Sequence, residues 1–117
     1  KRQKKLLEND KVEKQIVSKY GGSVLLGEEN TDFSEFKLDR DVITIGKAKF
    51  VHIKAKGFWL SAIQAKITKE NNSHVLTNLG KKGKTLVNGE PVTVCNLKNG
   101  DLITVGKSTF KYVEGSK

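Results

Sequence analysis

What most constrains this chain is a succession of short β-prone runs that starts after Gly21-Gly22 and continues almost to the C-terminus. Ser23 to Leu26, Phe36 to Leu38, Val42 to Ile45 and Phe50 to Ile53 are brief and rich in Val, Ile, Leu and Phe. Ile63, Ala65 and Ile67 alternate with Gln64, Lys66 and Thr68, the period-two pattern of a half-buried strand. His74 to Leu79, Thr85 to Val87, Val92 to Leu97, Leu102 to Val105 and Thr109 to Val113 complete the series. Asn88-Gly89 and Asn99-Gly100 supply the positive φ angles that tight reversals demand. Pro91, the single proline, cannot donate to a ladder and belongs on an edge. About ten or eleven short strands at this spacing, without a strong helix, predict an all-β sandwich of mostly antiparallel strands.

The 117 residues accommodate one domain. The boundaries expected are a basic linker or juxtamembrane segment over 1–21, the sandwich over 22–113 and a flexible tail over 114–117. Val12, Ile16 and Tyr20 are spaced by four and outline a short amphipathic helix. Their stripe is thin and isolated short helices are marginal, so a partly ordered linker is the expectation. The chain contains no Met and is read as a fragment of a larger protein. If a membrane span preceded Lys1, the cluster Lys1-Arg2-Gln3-Lys4-Lys5 would match the basic flank of a cytoplasmic face.

Charge and reactive groups narrow the function. The net charge is +9, but residues 1–20 hold seven of the 22 basic and three of the 13 acidic residues. The body is therefore only mildly basic, and Arg2 and Arg40 are the only arginines of the whole chain, which argues against nucleic acid. Cys95 is the single cysteine and is expected to be a small buried thiol. With one Cys and two His no zinc set can be assembled, and no apolar run is long enough to span a membrane. A reducing, cytoplasmic setting is the expectation.

His52 and His74 stand in separate β-prone runs without a nucleophile beside them, and the acids fall mostly at turns. The chain therefore reads as a non-enzyme with no catalytic residues, metal or cofactor. Gly83-Lys84-Thr85 and Gly106-Lys107-Ser108 imitate a P-loop, but Asn78 and Asp101 occupy the positions of its first glycine. Strand-like residues follow both, where a helix would have to begin. Asn71-Asn72-Ser73 matches a glycosylation sequon and reads as a turn.

Several segments, in order, resemble the signature of the forkhead-associated (FHA) domain, a β-sandwich that binds phosphothreonine peptides with loops at one end. Ile43-Thr44-Ile45-Gly46-Lys47 is similar to the family's Ile-Gly-Arg. Leu60-Ser61-Ala62-Ile63-Gln64-Ala65-Lys66-Ile67 is similar to Ser-Arg-X-His-Ala-X-Ile. The run from Asn78-Leu79-Gly80 through Lys81-Lys82-Gly83-Lys84-Thr85 to Val87-Asn88-Gly89 parallels Asp-Leu-Gly-Ser-Thr-Asn-Gly-Thr-Phe-Val-Asn-Gly without a gap. Leu97-Lys98-Asn99-Gly100-Asp101 resembles the family's closing Leu-X-Asn-Gly-Asp.

The resemblance implies a phosphopeptide or anion site at Lys47, Ser61, Lys82 and Gly83, with Lys81, Lys84 and Trp59 as additional contacts. It also shows a departure at each reading position but one. Lys47 replaces the family's phosphate-gripping arginine and loses its planar fork, whereas Ser61 is retained. Ala62 replaces the next arginine, Gln64 the structural histidine, and Gly83 the asparagine that holds the peptide backbone. The expectation is a protein-interaction module of a larger signalling protein, with altered or phosphate-independent peptide recognition at the lysine-rich loop end. The partner would be a protein or peptide, phosphothreonine-containing or acidic. Ordinary phosphothreonine binding and polyanion binding, to nucleic acid or acidic lipid, are the alternatives. Phe58 and Trp59 precede Ser61, and at least one of the pair is expected to pack onto the core.

Overall fold

The computed structural model describes residues 2–115, with side chains from Lys11 onward; the polybasic start and the last two residues lie outside the described side chains. Eleven strands follow one helix: α1 (Arg2–Tyr20), β1 (Val24–Glu29), β2 (Glu35–Lys37), β3 (Val42–Gly46), β4 (Ile53–Lys54), β5 (Ala65–Glu70), β6 (Ser73–Asn78), β7 (Thr85–Val87), β8 (Glu90–Pro91), β9 (Val94–Asn96), β10 (Leu102–Val105) and β11 (Ser108–Val113). They form a six-stranded sheet, β2-β1-β11-β10-β7-β8, and a five-stranded sheet, β4-β3-β5-β6-β9. All pairs are antiparallel except β3 with β4.

The core lies between the sheets because alternate residues of facing strands point inward. Ile43 and Ile45 of β3 and Ile67 of β5 meet Leu25, Ile103, Val105, Phe110 and Tyr112 from the other sheet. Each such side chain, fully buried, contributes roughly 1.5–3 kcal/mol. Phe33 stacks on Phe110 with ring centroids 5.6 Å apart and seals the β1–β2 loop to the core. Asn88-Gly89 makes the two-residue turn between β7 and β8, both residues at positive φ, and Pro91 sits in the edge strand β8.

Three details differ from the sequence reading. Phe50 to His52 do not join a strand: Val51 N–H donates to the Ala48 carbonyl, and Thr44 N–H donates to Nδ1 of His52. These bonds fold residues 47–52 into turns, so β4 is only Ile53–Lys54. Cys95 is half-buried rather than buried, and that burial raises its thiol pKa, which keeps it protonated.

The third is that residues 2–20 form a continuous helix in place of a partly ordered linker. Val12 is exposed, and the packing face is instead Glu13, Ile16, Val17 and Tyr20. Val17 is buried on Val24 and Val113, on the outer face of the six-stranded sheet. Lys111 Nζ donates to Glu13 Oε2 at 2.6 Å, and Tyr20 Oη donates to Glu35 Oε1 at 2.9 Å. Tertiary contacts supply the stability that an isolated helix of this composition lacks.

Candidate functional site

Glycines at two positions let the loop end assemble. A Cβ on Gly46 would strike the Ala62 carbonyl, and one on Gly80 would strike the side chains of Ser61 and Gln64. Without them, the end of β3 approaches the Ser61–Ala62 backbone. Lys47 N–H donates to the Ser61 carbonyl at 3.3 Å, and Ala48 N–H donates to that of Ala62 at 3.1 Å.

Gln64 joins the remaining pieces. It precedes β5, and its side chain is fully buried rather than directed outward as strict alternation from Ile63 would place it. Its Oε1 accepts from Ser61 N–H at 3.0 Å and from Lys81 N–H at 3.1 Å. Its Nε2 donates to Asn78 Oδ1 at 2.9 Å and to the Lys81 carbonyl at 2.8 Å. Thr85 Oγ1 donates to Asn78 Oδ1 at 2.8 Å and extends the network under the loop. One amide thus clamps the β4–β5 loop to the β6–β7 loop with every donor and acceptor used.

The sequence-expected residues gather above this clamp. Lys47, Lys81, Lys82 and Gly83 are exposed, whereas Ser61 and Lys84 are half-buried. Ser61 Oγ has no hydrogen bond among the described residues, so it points a free hydroxyl from a fixed backbone. Gly106 N–H donates to the Lys84 carbonyl at 3.0 Å, which ties the β10–β11 turn to the same end. Ion pairs among the described residues join Lys19 to Glu35, Lys56 to Asp32 and Lys111 to Glu13, and none uses the loop lysines 47, 81, 82 or 84. Loop lysines left without acids are suited to an anionic group.

The expectation that Phe58 or Trp59 packs onto the core is corrected. Phe58 is 76% and Trp59 79% exposed. Leu60 packs against the core in their stead, its Cδ1 close against Gly106. Trp59 holds φ at +64°, a left-handed conformation uncommon for a bulky residue. Lys107 entered the sequence reading only within a discarded P-loop lookalike, yet its ammonium lies 5.4 Å from the Phe58 ring centre. No local pattern links residues so far apart. Asn78 and Thr85 were legible only as family positions; their partnership with Gln64 needed the fold.

Comparisons agree with this geometry. The FHA domain model matches residues 43–106. The glycogen accumulation regulator GarA of Mycobacterium tuberculosis is 31% identical over 84 residues, covering 72% of this chain and 52% of GarA. The chain spans about half the length of the curated relatives it matches. An FHA domain from Chlamydia trachomatis superposes with a TM-score of 0.70 at 22% identity, over 81% of this chain and 99% of that one. Mycobacterium tuberculosis EmbR, solved with a low affinity phosphopeptide, gives 0.71 at 17% identity, over 82% of this chain and 25% of that one. Sandwich topology, the glycine-enabled loop end and the match across β3 to β10 agree, and the chain belongs to the FHA domain family.

Proposed function

We propose that this FHA domain is a non-enzymatic protein-interaction module that reads its partner through the lysine-rich loop end by an altered rule, in which phosphothreonine is not the dominant determinant. The observation that carries this is a separation of scaffold from reading groups. Gln64 replaces the family's histidine and still clamps the loops. The positions above it, however, offer Lys47, Ala62 and Gly83, where the resemblance places two arginines and an asparagine. Charge-assisted hydrogen bonds are worth roughly 1.5–3 kcal/mol each, so two missing donors outweigh the retained Ser61 hydroxyl. The lysines keep an electrostatic attraction for acidic segments without fixed geometry.

The residues proposed to meet the partner are Lys47, Ser61, Lys81, Lys82, Gly83 and Lys84. The setting proposed is cytoplasmic, within a longer protein, with residues 1–21 leading into the domain and 114–117 leaving it. Among the described residues, no helix is long and apolar enough to cross a membrane.

The test is a titration with matched peptides carrying threonine, phosphothreonine or glutamate at one position. The wild-type chain is expected to prefer phosphothreonine over glutamate by less than about tenfold. The triple variant Lys47→Arg, Ala62→Arg, Gly83→Asn is expected to raise that preference by about a hundredfold. Gly83 has φ +79° with open space around its Cβ position, and Asn tolerates that conformation. A strong wild-type preference for phosphothreonine that disappears in Ser61→Ala would overturn the altered rule in favour of ordinary recognition. The EmbR complex with a phosphopeptide makes that comparison informative.

A further inference from the structure

We infer that Phe58 and Trp59 are the apolar half of a composite docking strip, whose occupant is an acidic peptide segment carrying a large apolar side chain. The inference rests on the reading of the loop end as a peptide surface and adds the partner's second requirement.

Exposure alone would not carry this, since single exposed apolar residues are ordinary. Here two large aromatics are adjacent and both more than three-quarters exposed, and the backbone that carries them is tied down on either side. Leu60 anchors the following residue against Gly106, so the chain cannot turn Trp59 inward without extracting a core contact. Trp59 holds a positive φ that is uncommon for a bulky residue, next to Leu60, which is packed against the core. Lys107 lies over Phe58, and its own N–H donates to the Lys56 carbonyl at 2.9 Å. The pair is therefore a preorganised apolar surface, and such aromatics lose little entropy on binding.

Charge distribution selects the occupant. The segment 56–61 runs from the β1–β2 and β10–β11 loops to the lysine-rich loops. At its first end, Asn30 Nδ2 donates to the Lys107 carbonyl and Lys56 pairs with Asp32 at 3.0 Å. Exposed Glu28 and Glu29 end β1 on that side. At its second end, Ser61 adjoins Lys47 and Lys81, which have no acidic partners among the described residues. On the first side the Lys56 cation is thus already paired with Asp32, whereas the lysines beyond Ser61 are left without acids, so the unpaired positive charge of the loop end lies on the Ser61 side of the aromatics. A peptide can put its acidic residues on the lysine side alone and an apolar residue on Trp59.

Trp59 is the only tryptophan, so its emission reports occupancy of the strip directly. The experiment uses the full chain and synthetic peptides carrying a glutamate block and, at varied spacing, Leu, Phe or Gly. Phosphatidylserine-containing vesicles serve as a second probe. Leu and Phe peptides are expected to shift the emission to the blue and to bind about tenfold more tightly than Gly peptides. Trp59→Asn, which suits the local φ and is followed by titration calorimetry because it removes the fluorophore, is expected to abolish that difference while retaining affinity for the Gly peptide. The Phe58→Ala variant provides an independent check that keeps the fluorophore, and Lys81→Ala with Lys82→Ala is expected to weaken all peptides alike. If the Leu-over-Gly difference survives in Trp59→Asn and Phe58→Ala, the inference is overturned while the lysine reading stands. If the lysine variants change nothing, the underlying reading fails instead. A blue shift produced by vesicles and by no peptide would overturn the inference in favour of a membrane surface.

Discussion

Each end of the sandwich buries a polar side chain, and the two are provided for differently. At the loop end, Gln64 is fully buried and bonded to Ser61, Asn78 and Lys81 through both atoms of its amide. At the opposite end, His74 is 4% exposed; its Nδ1 lies 2.9 Å from Tyr112 Oη, while its Nε2 has no hydrogen-bond partner. The network around His74 continues through Tyr112 Oη to Ser23 Oγ at 3.4 Å, beside a cavity of about 280 Å³ that Lys37, Asp39 and Lys69 also line. A satisfied buried amide fixes geometry, so the exposed residues above it can vary without loosening the frame. An unsatisfied imidazole fixes less and leaves stability dependent on its protonation state.

The comparison breaks most severely if Gln64 is removed. Gln64→Leu would leave Ser61 N–H and both Lys81 backbone groups without their partner, costing about 3–4 kcal/mol in a chemical denaturation experiment. A cost under about 1 kcal/mol would mean that water or loop rearrangement replaces the clamp. An intermediate effect is expected where α1 covers the outer face of the six-stranded sheet. Val17→Ala removes two methyl groups from the contact with Val24 and Val113 and should cost about 1.5 kcal/mol. A cost near zero would show that α1 is held by its polar contacts, Lys111 with Glu13 and Tyr20 with Glu35, rather than by Val17.

The smallest change at neutral pH is expected at His74 itself. Burial, reinforced by the charge of Lys69, holds the imidazole below its ordinary value of 6.5. The unfolded chain therefore binds a proton more readily than the folded one. Stability is fully present above the unfolded value and is lost as pH falls below it toward the folded one. His74→Leu should alter stability by less than about 1 kcal/mol at pH 7.5, because a buried site that lacks one bond tolerates an apolar replacement. It should also flatten the acid-side slope of denaturation midpoint against pH. An unchanged slope would assign the acid sensitivity to other groups.

How much was legible can be judged from particular residues. Asn88-Gly89 and the alternation of Ala65 and Ile67 with Lys66 and Thr68 announced their turn and strand because both patterns are local consequences of backbone geometry. The four FHA-like segments placed Lys47, Ser61 and Lys81 to Lys84 at one end, and the fold gathers them there. The helix was underestimated because its buried face is defined by Val24, Val113 and Lys111, which lie far away in the chain. Trp59 was expected to compete for the core, but Leu60 occupies that place. Adjacent apolar residues in a loop carry no sign of which will turn inward.

The sequence by itself therefore determined the architecture: short alternating runs, turn dipeptides and an edge proline have few other ways to be satisfied. It also determined which reading groups are missing, since Ala62 and Gly83 cannot supply side-chain donors in any fold. Only the tertiary structure decided that Gln64 would be a clamp, that Lys107 would cover Phe58 and that Nε2 of His74 would lack a partner among the described residues. Those outcomes depend on which distant backbone groups arrive within hydrogen-bonding or contact distance, and packing of the two sheets sets that distance.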